Sequence, residues 1–87
     1  LERANLTGAS LARAVLHGTK LQNATLSHAK LAAAAILKSN LMEAVLEGAD
    51  LRGADLRGSN LHGAQLWRAQ TEGVLLDLAI VTRTHLS

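Results

Sequence analysis

Residues 49–58 read Ala-Asp-Leu-Arg-Gly-Ala-Asp-Leu-Arg-Gly, one five-residue phrase stated twice without a break. In both directions from this pair the phrase loosens, but its spacing holds. Leucine recurs at every fifth position from Leu1 to Leu66, with Ile36 substituting once; Thr71 interrupts the series, and Leu76, Val81 and Leu86 resume it. Two residues before each of these sits a small side chain, most often alanine, as at Ala4, Ala24, Ala44 and Ala64. All seven glycines fall two residues after a central position, and none lies elsewhere. Self-similarity at a fixed short period is the mark of a repeat architecture.

Five is the wrong period for a helix. At about 100° per residue, positions five apart point about 140° away from each other and line no stripe. A heptad seam fails as well, because its apolar positions alternate three and four apart. In extended backbone, residues two apart share a side, so the alanine and leucine of each repeat face inward together. An odd period then requires a corner in every repeat, and the glycines mark where it falls. A turn that begins at leucine puts this slot third, which in a type II turn takes positive φ and favours glycine or asparagine; Asn23 also occupies it. Where Arg13, Ala33 and Lys38 stand there, a type I turn is expected, since it tolerates most residues. Short extended segments joined by regular corners stack into a solenoid. With one Trp and no Phe or Tyr, its core is narrow and filled by leucine.

These residues resemble the pentapeptide-repeat proteins, whose motif is written A(D/N)LXX. Residues 49–58 fit it closely, Ala4-Asn5-Leu6-Thr7-Gly8 and Ser59-Asn60-Leu61-His62-Gly63 nearly so, and the likeness runs over essentially the whole chain. The resemblance implies an all-β fold, a right-handed quadrilateral β-helix with four repeats to a coil. At that size the 87 residues make slightly more than four coils, stacked to a length of about 20 Å. Residues 1–87 are read as a single solenoid and, since they open on Leu1 with no capping segment, as a piece of a longer protein. Residues 74–87 are read as a degenerate terminal coil: Val74 takes the alanine slot, and Leu75, Leu78 and Ile80 take outward ones.

Function is then expected where the period is violated or leaves a slot free. The candidate interface residues are Val15, Leu37, Trp67, Leu75, Leu78 and Ile80. Val15, Ala35 and Leu75 share one outward column of residues stacked at intervals of twenty, with Leu37 and Leu78 beside it and Asp55 and Arg57 interrupting it. Trp67 either anchors a partner or lies flat along its own wall. An apolar terminal coil points to contact with another molecule, and some members of the family dimerise through their C-terminal ends, so a homodimer through this coil is one expectation.

No catalytic, cofactor or metal constellation is apparent. His17, His28, His62 and His85 fall in four different columns, and no cysteine is present; zinc ligands must converge. Asp50 and Asp55 stand on adjacent walls, each near an arginine (Arg52, Arg57), which suits solvated ion pairs better than acid–base carboxylates in a cleft. A dispersed net charge of +2 with a single aromatic residue argues against direct nucleic-acid binding, which uses a basic stripe with stacking rings. No run of ~20 apolar residues is present to cross a membrane. The expectation is a non-enzymatic protein-interaction or scaffold module, of a kind found in bacterial members of the family. The alternative, also implied by the resemblance, is a DNA mimic that protects DNA gyrase in quinolone resistance; such proteins carry strongly acidic walls, whereas here Glu43, Glu47, Asp50 and Asp55 are interleaved with Arg52 and Arg57. Nothing in the residues fixes the compartment, and a cytoplasmic setting is the default expectation.

Overall fold

The computed structural model describes residues 2–85. Leu1 and Leu86, which the period assigns to the interior series, and Ser87 lie outside them. The backbone winds in coils of twenty residues with four corners each, and every bridge is parallel and joins residue i to residue i+20. Four outward columns follow. The first wall carries Asn5, Thr25, Val45, Gln65 and His85, and the second Ser10, Lys30, Asp50 and Gln70. The third carries Val15, Ala35, Asp55 and Leu75, and the fourth Lys20, Asn40, Asn60 and Ile80. Most column residues stand between an inward small side chain, usually alanine, and an inward aliphatic one, the two-residue alternation of extended chain. The molecule measures 27 × 25 × 22 Å, so it is a squat prism about as wide as it is long. No helix is long and apolar enough to cross a membrane among the described residues.

One repeat accounts for nearly all of its backbone hydrogen bonds. Leu46 N–H donates to Gln65 O at 2.7 Å and Gly48 N–H to Trp67 O at 2.8 Å, in the following coil, while Asp50 N–H donates to Ala29 O at 2.9 Å in the preceding one. Ala49 N–H closes the corner onto Leu46 O at 3.0 Å. The N–H left over belongs to the second corner-side residue, here Glu47. Where Asn or Asp precedes the central residue, its side chain accepts that N–H: Asp50 Oδ1 from Arg52 at 3.1 Å, Asn60 Oδ1 from His62 at 2.9 Å, Asn40 Oδ1 from Met42 at 3.0 Å. These local side-chain-to-backbone bonds give the (D/N) of the motif its physical content.

The corners overturn one expectation. Arg13, Ala33 and Lys38 have φ of 64°, 60° and 52°, so they are not type I turns. Every third turn residue from Arg3 to Arg83 is left-handed, glycine or not: a type II corner recurs at every repeat of the coil, whatever the side chain. A side chain with a Cβ costs roughly 1–2 kcal/mol in this region. Ala33 stands exposed directly above Gly53, so Ala33→Gly is expected to raise stability by about 0.5–1 kcal/mol in urea denaturation.

The interior holds one apolar core, from Leu21 to Leu66, in which each central leucine or isoleucine and each alanine of the inward slot two residues before it is buried. Leu6, Leu11, Leu16, Leu76 and Ala79, in the first and last described coils, pack against it only partly buried. Two buried polar side chains interrupt the alanines. Ser59 donates its hydroxyl to Ile36 O at 2.5 Å and accepts Ser39 N–H at 3.0 Å, standing inside the corner of the coil above. Ser39 repeats the pattern one coil earlier, donating to Leu16 O at 2.6 Å and accepting Thr19 N–H at 3.1 Å. Both hydroxyls are satisfied, which is what their burial requires.

Candidate functional site

The irregular residues are placed by the same rule as the regular ones: one slot faces in and the next faces out. In Leu75-Leu76 the second residue fills the central slot and is partly buried, so Leu75 is left on the third wall. Leu78 occupies the left-handed corner slot with φ 62° and is 93% exposed. Ile80 follows on the fourth wall, and like Leu75 it is a little under half exposed. The structure therefore brings Leu75, Leu78 and Ile80 together along one edge of the last coil. Val15 is 76% exposed but lies at the far end of the third wall. Leu37 is partly buried. Trp67 lies at the corner diagonally opposite Leu78, stacked on the His85 ring with centroids 5.3 Å apart and planes 16° from parallel. It therefore lies along its own wall.

Two further features escaped the sequence reading. Val81, in the interior series, is nearly half exposed. Beside it an apolar hollow of about 120 Å³ opens at the end of the coil, lined by Leu61, Leu66, Thr71, Val74, Leu76, Val81 and their neighbours. Thr71 and Val81 are shorter than leucine, and that shortening was the available signal. A shallow groove also runs down the third corner, lined by His17, Leu37, Lys38, Arg57, Gly58, Asp77 and Leu78.

Two arginine–aspartate pairs form locally. Arg52 grips Asp50 through Nε at 2.8 Å and Nη2 at 2.7 Å, and Arg57 grips Asp55 at 2.8 and 2.6 Å. Hydrogen bonds from the Arg52 side chain, then its backbone N–H, hold the Asp50 carboxyl down at about 2, against an ordinary value of 3.8. The Arg57 side chain lowers Asp55 in the same way. Because the folded-state pKa lies below the unfolded one, this contribution to stability is complete above the ordinary value and fades as pH falls through about 2. Arg52→Ala is expected to return the Asp50 midpoint toward 3.8 in a carboxyl NMR titration; an unmoved midpoint would show that the pair is not the cause. The histidines stay dispersed: His62 Nδ1 meets Thr82 Oγ1 at 2.6 Å, and no three His, Asp or Glu side chains converge as a metal site among the described residues.

The family model for pentapeptide repeats matches the chain in 8 copies, over residues 1–34 and 39–76. No curated protein matches it by sequence. Among solved structures, a pentapeptide repeat protein from the Arabidopsis thaliana thylakoid lumen superposes with a TM-score of 0.95 at 28% identity, over 100% of this chain and 61% of that one. Rfr23 from the cyanobacterium Cyanothece 51142 is 35% identical over 100% of this chain and 63% of its own, with a TM-score of 0.67. QnrB1, a plasmid-mediated fluoroquinolone resistance protein, shares the fold alone, at 21% identity and a TM-score of 0.58 over 86% of this chain and 46% of its own. The chain spans about three fifths of the length of the first two. The twenty-residue coil with its four corners is thus a right-handed quadrilateral β-helix, and the chain belongs to the pentapeptide repeat family.

Proposed function

We propose that this protein is a non-enzymatic interaction module whose docking surface is its last described coil. The observation that carries the reading is the set of aliphatic side chains in outward slots there: Leu75, Leu78 and Ile80 stand exposed along one edge. Contiguous exposed apolar surface is characteristic of interaction sites. The ladder behind it holds the backbone rigid, so little ordering entropy opposes docking. A protein partner fits this surface better than nucleic acid does, because the patch holds no cluster of cations.

The gyrase-protecting alternative draws less support from the charges. In the first two coils Arg3, Arg13, Lys20, Lys30 and Lys38 face the single acid Glu2, and Asp50 and Asp55 further on are each neutralised by an arginine. A photo-crosslinking residue placed at Leu78, with one at Thr7 as the distant control, tests the interaction reading in cells that make the protein. A discrete adduct from position 78 and none from position 7 is expected. Equal adducts from both positions, or none from either, would remove the last coil as a docking surface.

A further inference from the structure

We propose that two copies of this chain pair side by side through their third walls in antiparallel orientation, about a twofold axis that runs along the strand direction between the second and third coils. The pairing rests on the reading of the exposed aliphatic residues as an interface, and it names a second copy as the partner.

Such an axis reverses the order of the coils and keeps each column opposite itself, so the first coil of one protomer faces the fourth of the other. Val15, 76% exposed, then meets the partner's Leu75. Leu78, 93% exposed, meets the partner's Gly18. Gly18 carries no side chain, and the space where one would begin is open, with nothing within 4 Å, so it leaves room for the leucine. His17, a hydrogen-bond donor, meets the partner's Asp77 carboxylate. In the middle, Leu37 faces the aliphatic stem of the partner's Arg57, and Lys38 comes beside the partner's Asp55–Arg57 pair. Each contact occurs twice, as an isologous interface requires: leucine over glycine, apolar on apolar, donor on carboxylate.

Two independent observations converge on this surface. The stretches that the family pattern leaves unmatched are 35–38 and those beyond 76. They supply Leu37 and Lys38 at the middle of the groove and Asp77 and Leu78 at its end. Leu78 is also held in left-handed backbone while fully exposed, a double cost in the monomer that burial against a partner offsets in part. The pairing is weak. A molecule of 27 × 25 × 22 Å offers on one wall less than the ~800 Å² per partner of a standard interface, so the dimer forms at high protein concentration.

The chain has no cysteine, which makes disulfide trapping clean. Val15→Cys and Leu75→Cys proteins are prepared separately, then oxidised mildly alone and as an equimolar mixture. The mixture is expected to give a disulfide-linked dimer joining position 15 to position 75, with little from either protein alone. Sedimentation of the unaltered protein should show reversible dimerisation, and Leu78→Asp should weaken it at least about tenfold while leaving the circular dichroism spectrum unchanged. Linking of Leu75→Cys or Val15→Cys to itself as fast as in the mixture would overturn the antiparallel pairing. A monomer at every concentration would overturn it too, even if position 78 crosslinks to some other protein and the interaction reading stands.

Discussion

Leu46→Ala is expected to lower stability by about 2–5 kcal/mol. Leu46 is 1% exposed, stacked between Leu26 and Leu66 in the middle of the core. The lost transfer free energy alone is roughly 1.5–3 kcal/mol for a buried leucine. The cavity adds to it, because this interior cannot collapse. Its walls are held at a fixed separation by backbone bonds to the coils above and below, Leu46 N–H to Gln65 O at 2.7 Å among them, and the side chains across the coil are leucines already in contact. Leu6→Ala, in the same column but in a terminal coil where the leucine is only partly buried, should cost less. Urea denaturation of the two variants checks the ordering; equal losses, or an unchanged midpoint for Leu46→Ala, would contradict the interior assignment.

Ala54→Leu is expected to cost about 1–3 kcal/mol, and to sit at the upper end of that range. Ala54 has no exposed surface and lies in the column of Ala34 above and Val74 below. Its N–H closes a corner onto Leu51 O at 2.9 Å, and its carbonyl accepts from Leu75 N–H at 2.9 Å. A larger side chain in this slot must push coils apart or open a corner, and either breaks ladder bonds. Val74 occupies the same slot in the last coil, where burial is incomplete, and the bulkier residue is accommodated there. Val74→Leu is accordingly expected to be close to neutral in thermal melts, while Ala54→Leu lowers the midpoint.

The contrast between those two alanine-slot positions also marks how far the sequence could be read. Leu, Ala and Gly carry the architecture because each answers to a single steric demand: inward and large, inward and small, or left-handed. The corner slots of Arg13, Ala33 and Lys38 were misjudged for a physical reason. Local preference points to a type I turn there, but the stacked coil repeats one corner shape with positive φ in every repeat, and a register set by residues twenty positions away is invisible in a five-residue window. The role of Asp and Asn before leucine was legible only as a motif letter until the N–H they accept was placed. Ser39 and Ser59 looked like small-residue substitutes for alanine, yet each bridges two coils through a satisfied hydroxyl. At the candidate site, the period identified Leu75, Leu78 and Ile80 as outward. It did not separate Trp67, which lies against His85, nor did it mark Val81, which is nearly half exposed in the last described coil.

All of this depends on one register, the pairing of residue i with residue i+20. Backbone NOEs in uniformly labelled protein test it directly. Contacts between the backbone protons of Thr25 and Val45, and of Val45 and Gln65, are expected, along with the equivalent pairs on the other three walls. Contacts at any other separation, or the sequential amide contacts of a helix through residues 41–60, would contradict the coil and every assignment built on it.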